Sequence, residues 1–295
     1  MALTPRTLAD HVIAALVAIT VARRAYKRQS LSTSGAIAAV VVGYITLHMP
    51  TKAFGIAMLV FFFAASKATK TGKELKARLE DGHAEAGNRT AWQVFCNSFP
   101  AAIAALLWEF LAPKYMPSRR CPTNSPYGQY GREFVFAALA QFACCLGDTL
   151  ASELGILSSS WPILITTFRR VPPGTNGGLS AMGTAASCMG GLLIGASFAL
   201  VFSIESSACR DQLATVWLEC CGWGAASGLI GSVIDSLLGA TLQRTRYDDK
   251  KKLILQDDAP EHRASKVISG FHILSNNQVN FISGLITALL VGYLA

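Results

Sequence analysis

Long apolar stretches alternate along the chain with short segments that hold most of its lysines and arginines. A helix that crosses a bilayer needs about 20 mostly apolar residues. The pattern therefore predicts an all-α, polytopic integral membrane helical bundle of about 7–8 transmembrane helices. The predicted spans are residues 8–22, 35–51, 53–66, 94–113, 133–154, 179–204, 213–243 and 269–294.

The composition fits a membrane protein better than a soluble domain. Hydrophobic residues make up 52% of the 295 positions and charged residues only 15%, against about a quarter charged in soluble domains. The formal net charge is +8, but positive-inside bias and anionic headgroups account for basic residues between apolar spans. We therefore expect contact with membrane lipids, no nucleic-acid partner, and a single membrane domain over residues 1–295.

The basic residues also predict an orientation. The odd-numbered connections between predicted spans hold four, six, two and seven lysines and arginines, which is 19 of the 26 in the chain. Cytosolic connections carry the excess of such residues, so we expect these segments to face the cytosol and both termini the other side. Cys121 and Cys209 then lie opposite the cytosol, where they can form a disulfide. Asn88-Arg89-Thr90 fits the glycosylation pattern, but we expect it to be unmodified in a cytosolic segment. The four segments are residues 23–34, 67–93, 155–178 and 244–268.

A glycine- and proline-rich run precedes the sixth predicted span. Residues 165–178 read ITTFRRVPPGTNGG. Glycines let backbone N–H groups approach an anion, Arg169 and Arg170 add positive charge, and the following helix directs the positive end of its dipole at the loop. The run is typical of a phosphate-binding loop, although an ordinary turn before a capped helix has the same composition. The Gly-Lys-Ser/Thr ending of a Walker A loop is missing.

Two carboxylates lie within predicted spans, Asp148 near the end of the fifth and Asp235 in the seventh. An acid at membrane depth costs about 2.5–3.5 kcal/mol on an insertion scale, so we expect each to face the bundle interior. Gly231 and Gly239 share a helix face with Asp235 and permit close approach of another helix.

Other spans place polar residues at the same level. Taken singly, each asparagine is better explained as a packing residue with an interhelical hydrogen bond. Together with the carboxylates and the Gly/Arg loop, on the side where nucleotides are found, they predict a site for Mg²⁺ and a polyphosphate. The residues are Ser66, Lys67, Asn97, Asn276 and Asn280.

The same motifs resemble a known family. They are residues 147–155, 166–178, 231–241 and 277–280, with earlier pieces within 66–98. They resemble the membrane proteins that include plant phytyl-phosphate kinase and the eukaryotic transmembrane protein nineteen. The resemblance implies an Mg²⁺-dependent kinase that transfers phosphate from CTP or ATP to an isoprenoid monophosphate. It also implies an endoplasmic reticulum or plastid-type membrane.

Residue roles follow from the resemblance together with the charge pattern. We expect Asp148, Asp235 and Arg169 to be catalytic, and Asp148, Asp235 and Glu153 to bind the metal. A lipid phosphate is already anionic and needs no general base, in keeping with the lack of histidine in the acidic and glycine-rich motifs. The nucleotide phosphates are expected at Gly174, Thr175, Asn176, Gly177 and Gly178, and the lipid phosphate at Asn97, Asn276, Asn280, Ser66 and Lys67.

An ion-coupled membrane transporter is the alternative. In that case Asp148 and Asp235 bind the coupling ion, and the Gly/Pro loop is a gate in a broken helix. An inverted repeat would favour this interpretation, and the sequence contains no clear internal repeat.

Overall fold

A computed structural model of the chain describes residues 7–80, 87–111, 121–123, 129–255 and 265–295. Within these residues the secondary structure is mostly helical, with a few short strands. The helices are α1 (Leu8–Lys27), α2 (Thr33–Leu47), α3 (Ala53–Lys70), α4 (Lys73–Lys76), α5 (Ala91–Leu111), α6 (Gln129–Gly155), α7 (Ala181–Glu205), α8 (Ser207–Arg210), α9 (Leu213–Leu242) and α10 (Asn276–Leu294). The strands are β1 (Ile163–Leu164), β2 (Gly178–Leu179), β3 (Thr245–Asp248), β4 (Leu253–Leu255) and β5 (Ser265–Ser269).

A helix lies at each of the eight predicted spans. Six of them, α3, α5, α6, α7, α9 and α10, are long and apolar enough to cross a membrane. Helix α2 is apolar but has only 15 residues, and α1 ends in a basic turn. Large apolar side chains such as Phe110, Leu218 and Tyr293 are exposed on the outside, which suits contact with lipid. The chain is a multi-pass membrane bundle, and the predicted fold class is confirmed.

Polar caps set where several helices begin. The hydroxyl oxygens of Ser32 and Ser180 accept hydrogen bonds from backbone N–H groups three residues later, which satisfies donors that a helix start leaves open. Ser275 and Gln278 form a capping box at α10. The last predicted span, drawn from residue 269, therefore becomes helical only at Asn276. Residues 112 and 113 of the predicted span 94–113 lie outside the described residues.

Helices α6, α7 and α9 form the centre of the bundle and touch backbone to backbone. A Cβ atom added at Gly147 of α6 would lie 2.9 Å from Cα of Gly228 in α9. One added at Gly190 of α7 would lie 2.9 Å from Cα of Gly147. Such contacts require small residues, because a side chain would force the helices apart. Residues 138–147 of α6 are all buried, so α6 is the central helix.

The basic connections gather at one end of the bundle, which we call the site end. There the α1–α2 connection pairs with the start of α5 through Leu31 and Arg89. Strands β4, β3 and β5 form an antiparallel sheet in that order, and Ile254 N–H donates to Leu79 O at 2.8 Å. The sequence pattern does not predict this sheet. Which side of the membrane the site end faces stays a prediction.

The opposite end carries a disulfide between Cys121 and Cys209, and we call it the disulfide end. Cys121 belongs to the α5–α6 connection and Cys209 to α8. The pairing that the sequence suggested is thus present. It joins the α5–α6 connection to the α7–α9 connection.

Candidate active site

A cavity of about 590 Å³ lies at the site end, within the range of small-molecule sites, roughly 300–1,000 Å³. Helices α6 and α9 approach it with their C-terminal turns, whereas α5, α7 and α10 begin beside it. Residues 173–178 of the Gly/Pro loop and the two residues that follow them also line the cavity.

Asp148 and Asp235 face this cavity from neighbouring helices, and we call them the carboxylate wall. Each lies seven residues before the end of its helix, at Gly155 and Leu242 respectively, which is about 10 Å along the helix axis. The two acids therefore lie at the same distance from the ends of their helices. Gly231, one turn from Asp235, packs directly against Cys144 of α6, as the predicted small-residue face requires.

Helix α10 holds the Asp235 carboxylate with two polar side chains. Ser283 Oγ donates to Asp235 Oδ2 at 2.9 Å. The Asn280 amide, oriented to satisfy its neighbours, donates from Nδ2 to the same oxygen at 3.2 Å and to Asn276 O at 3.1 Å. The amide oxygen then faces Asn97 Oδ1 at 3.4 Å, a contact between two acceptors and not a hydrogen bond. Asn276 and Asn280 thus form one network with Asp235, and Asn97 lies beside it.

The Gly/Pro loop packs on α9. Gly174 and Gly177 have φ values of +87° and +77°, a region that favours glycine. A Cβ at Gly177 would also collide with Ala240 and with the backbone of Ser236. All five predicted nucleotide-binding residues, 174–178, line the cavity.

Several N–H groups of the loop are used within the protein. Thr175 N–H donates to Pro172 O at 3.2 Å and Gly178 N–H to Thr175 O at 2.9 Å. Asn176 N–H donates to Thr245 Oγ1 at 3.2 Å. These hydrogen bonds fix the shape of the loop. Because the three N–H groups already have acceptors, the side chains of the loop and the start of α7 are the groups left to contact a ligand.

Arg89 lines the cavity from just before α5, and sequence reasoning missed it. Its Nη1 donates to Ser66 Oγ at 3.0 Å and its Nη2 to Thr69 Oγ1 at 3.4 Å. Burial lowers the pKa of the guanidinium and nearby Glu153 raises it, but the ordinary arginine pKa is so high that the charge remains. We call Arg89 and the first turns of α5, α7 and α10 the donor wall.

The sequence did contain a signal for the position of Arg89. Residues 90–93 read Thr-Ala-Trp-Gln, which is a capping-box pattern. Thr90 N–H donates to Gln93 Oε1 at 2.9 Å, and this start of α5 sets Arg89 beside a helix N-terminus. Gln93 and Glu80 also line the cavity and were likewise missed.

Four predicted site residues do not line the cavity. Ser66 instead accepts the hydrogen bond from Arg89, and Lys67 is exposed on α3. Glu153 lies 2.6 Å from Nζ of the fully buried Lys76. Arg169 is exposed in a tight turn where its carbonyl accepts from Leu164 N–H at 2.9 Å.

The donor set fits magnesium that arrives with a polyphosphate. Within the described ranges, no three or more His, Cys, Asp or Glu side chains are grouped to hold a metal ion. Mg²⁺, however, commonly binds one or two carboxylates together with substrate phosphates and waters. The carboxylate wall supplies two such ligands, and the donor wall offers positive charge and helix N-termini to phosphates.

Known proteins resemble the chain over most of its length. A family model described as "Integral membrane protein DUF92" matches residues 16–288. Protein PGR of Arabidopsis thaliana is 37% identical over 280 residues, which cover 95% of this chain and 94% of that protein. An uncharacterised membrane protein of Methanocaldococcus jannaschii is 28% identical over 243 residues, covering 82% of this chain and 87% of the relative.

No solved structure shows a significant match. The family match spans all of the motifs that carried the resemblance, and the family resemblance is confirmed. The chain belongs to the DUF92 family of integral membrane proteins.

Proposed function

We propose that the protein is a membrane-embedded kinase that transfers phosphate from CTP or ATP to an isoprenoid monophosphate. The product is the isoprenoid diphosphate. One observation carries the proposal: two carboxylates at membrane depth meet Arg89 and three helix N-termini around a single cavity. The family resemblance supports the substrate class.

The reaction joins two anions. An oxygen of the lipid phosphate attacks the γ-phosphorus of the nucleotide, and the bond from that phosphorus to the β–γ bridging oxygen breaks. The nucleoside diphosphate leaves with the electron pair. Because the attacking oxygen is already anionic at neutral pH, no general base is needed, and the task of the protein is positioning and charge neutralisation.

The residues divide this task between them. Asp148 and Asp235 would hold Mg²⁺, which when bound offsets the charge of the phosphates. Residues 174–178 and the start of α7 bind the nucleotide phosphates. Asn97, Asn276 and Asn280 orient the lipid phosphate beside Asp235, to which Asn280 is hydrogen-bonded.

Packing behind the cavity supports an enzyme over a transporter. Gly147, next to Asp148, lies in backbone contact with Gly228 and Gly190, so α6, α7 and α9 leave no space between them at this level. Toward the disulfide end, fully buried side chains that include Phe136 and Phe198 fill the bundle. A solute path between these helices would require them to separate.

A transfer assay tests the proposal. Protein purified in detergent, with Mg²⁺ and γ-labelled CTP or ATP, should move label into phytyl diphosphate when phytyl phosphate is supplied. Free phytol should be a poor acceptor. The product should be lost when Mg²⁺ is chelated and in Asp148→Asn, which keeps the shape of the side chain and removes its charge.

Asp211→Asn is the matched control, because Asp211 is exposed near the disulfide end and the chemical change is identical. It should keep full activity. No transfer to isoprenoid phosphates of several lengths, together with Asp148-dependent solute flux in vesicles, would replace the kinase by the transporter.

A further inference from the structure

A second, apolar crevice lies between α2, α3 and α5 and adjoins the main cavity. It shares Arg89, Gln93 and Asn97 with that cavity. Apart from these and Ser98, its lining is apolar and includes Leu31, Val42, Met58, Phe61 and Phe62. A polar site and an apolar crevice thus meet at one arginine.

The size of the crevice sets what it can hold. Its volume is about 50 Å³, and one water-sized group needs roughly 10–15 Å³ of such volume. The crevice therefore accommodates a few carbon groups, on the scale of one isoprene unit and not of a whole isoprenoid chain. A longer tail must continue from the crevice into the bilayer.

The chain holds Arg89 firmly at the junction. Its carbonyl accepts from Ser32 N–H at 3.0 Å, and its N–H donates to Ser30 O at 3.3 Å. A Cβ atom at Gly35 would collide with the Arg89 carbonyl, so the start of α2 packs directly on this residue. Among the described residues, the side chain bonds only to the neutral hydroxyls of Ser66 and Thr69, while a guanidinium carries five N–H donors.

We propose that Arg89 binds the phosphate of the acceptor lipid and that the crevice holds the isoprene unit next to that phosphate. The identity of the lipid rests on the proposed kinase function, whereas the geometry itself requires an anionic head joined to an apolar first segment. With its phosphate at Arg89 and Asn97, the lipid faces the carboxylate wall. The α1–α2 connection thereby gains a role as the support of Arg89, and α2 forms one wall of the crevice.

Photolabelling of the full chain in detergent, without nucleotide, tests the binding site. The probe is an isoprenyl phosphate with a diazirine in its first isoprene unit. Label should appear in peptides of α2, α3 and α5, and excess unlabelled isoprenyl phosphate should remove it about 10-fold more effectively than the free alcohol. Label spread over the outer helix faces and insensitive to competitor would overturn the proposal.

A pair of variants on α2 tests the crevice. Ala39→Phe places a ring in the crevice, because Ala39 lines it, whereas Val41→Phe adds bulk on the half-exposed outer face of the same helix. The first should raise the KM for lipid phosphate about 10-fold and leave the KM for nucleotide unchanged. The second should change neither. Equal behaviour of the two variants would exclude the crevice as the tail site.

Arg89→Gln tests the head group. The variant should still take up the label but lose its preference for phosphate over alcohol, and Arg89→Lys should restore part of it. Labelling requires no phosphoryl transfer, so labelling without transfer would remove the kinase and keep the lipid site. Transfer that survives both Ala39→Phe and Arg89→Gln unchanged would remove the lipid site alone.

Discussion

The two walls of the cavity face the same space but are built differently. The carboxylate wall consists of two side chains, Asp148 and Asp235, near helix C-terminal ends. The donor wall consists of Arg89 and the beginnings of three helices. The two carboxylates of the first wall favour cations, whereas Arg89 and helix N-termini, which carry partial positive charge, favour anions at the second. A nucleotide with its cation presents both charges, and each wall suits one of them.

The difference decides how each wall can fail. The carboxylate wall depends on only two side-chain carboxylates, those of Asp148 and Asp235, so a single substitution should disable it. The donor wall is distributed over backbone groups of several helices and should lose function in smaller steps.

Asp235→Asn should have the largest effect on activity. It keeps the hydrogen-bonding shape but removes one of two negative charges, and loss of one such electrostatic group costs about 100- to 1,000-fold in kcat. The measurement is kcat over a Mg²⁺ titration, with membrane levels of the variant as the check on folding. An Asp235→Asn protein that folds and keeps its kcat would show that Asp235 is only a packing partner of Ser283.

Lys76→Met should have the largest effect on stability. Lys76 is fully buried and pairs with Glu153 on the last turns of α6, close behind the carboxylate wall. Removing one partner of a buried pair leaves the other charge uncompensated, which should cost about 3 kcal/mol, the low end of the usual range, because Glu153 stays partly exposed. Thermal unfolding in detergent measures the loss.

The double variant Lys76→Met/Glu153→Leu separates the ion pair from simple packing. It should recover most of the stability, since neither charge remains buried. If single and double variants lose the same amount, the packing of α4 and not the ion pair supports this end of α6.

Gly177→Ala should have a smaller effect, by distorting the Gly/Pro loop that leads into the α7 part of the donor wall. Its positive φ costs an L-residue about 1–2 kcal/mol, and the new Cβ would press on α9 at Ala240. The loop should shift and the KM for nucleotide should rise, while the KM for lipid phosphate should hardly change. Gly222→Ala is the control, because nothing lies within 4 Å of a Cβ added there.

Most of the fold follows from the sequence because a membrane helix must satisfy its own backbone and therefore needs an apolar run. All eight predicted spans contain helices for this reason. The sheet of β3, β4 and β5 has no comparable signal. Its strands are only three to five residues long, and its pairing depends on contacts such as Ile254 with Leu79, far apart in the chain.

The site follows from the sequence only in part. Asp148 and Asp235 stand out because acids at membrane depth are costly. Arg169 stands out because it neighbours glycines in sequence, but the turn between β1 and Arg170, in which Phe168 has a φ of +55°, leaves its side chain exposed. The capping-box pattern at residues 90–93 signals only that a helix begins beside Arg89, whereas its place at the cavity depends on tertiary contacts with Ser30 and Ser32.

Ser283→Ala should have the smallest effect, and it is the most sensitive test of the difference between the carboxylate wall and the donor wall. The change removes one donor to Asp235 Oδ2 but leaves Asn280 in place, so about 1 kcal/mol should be lost, or roughly fivefold in kcat. Ser197→Ala is the control, since among the residues that the structure describes this buried hydroxyl bonds only to Ile194 O within α7, and kcat should be unchanged. A Ser283→Ala loss as large as that of Asp235→Asn would mean that the orientation of the carboxylate matters as much as its charge. The carboxylate wall would then depend on a network, as the donor wall does.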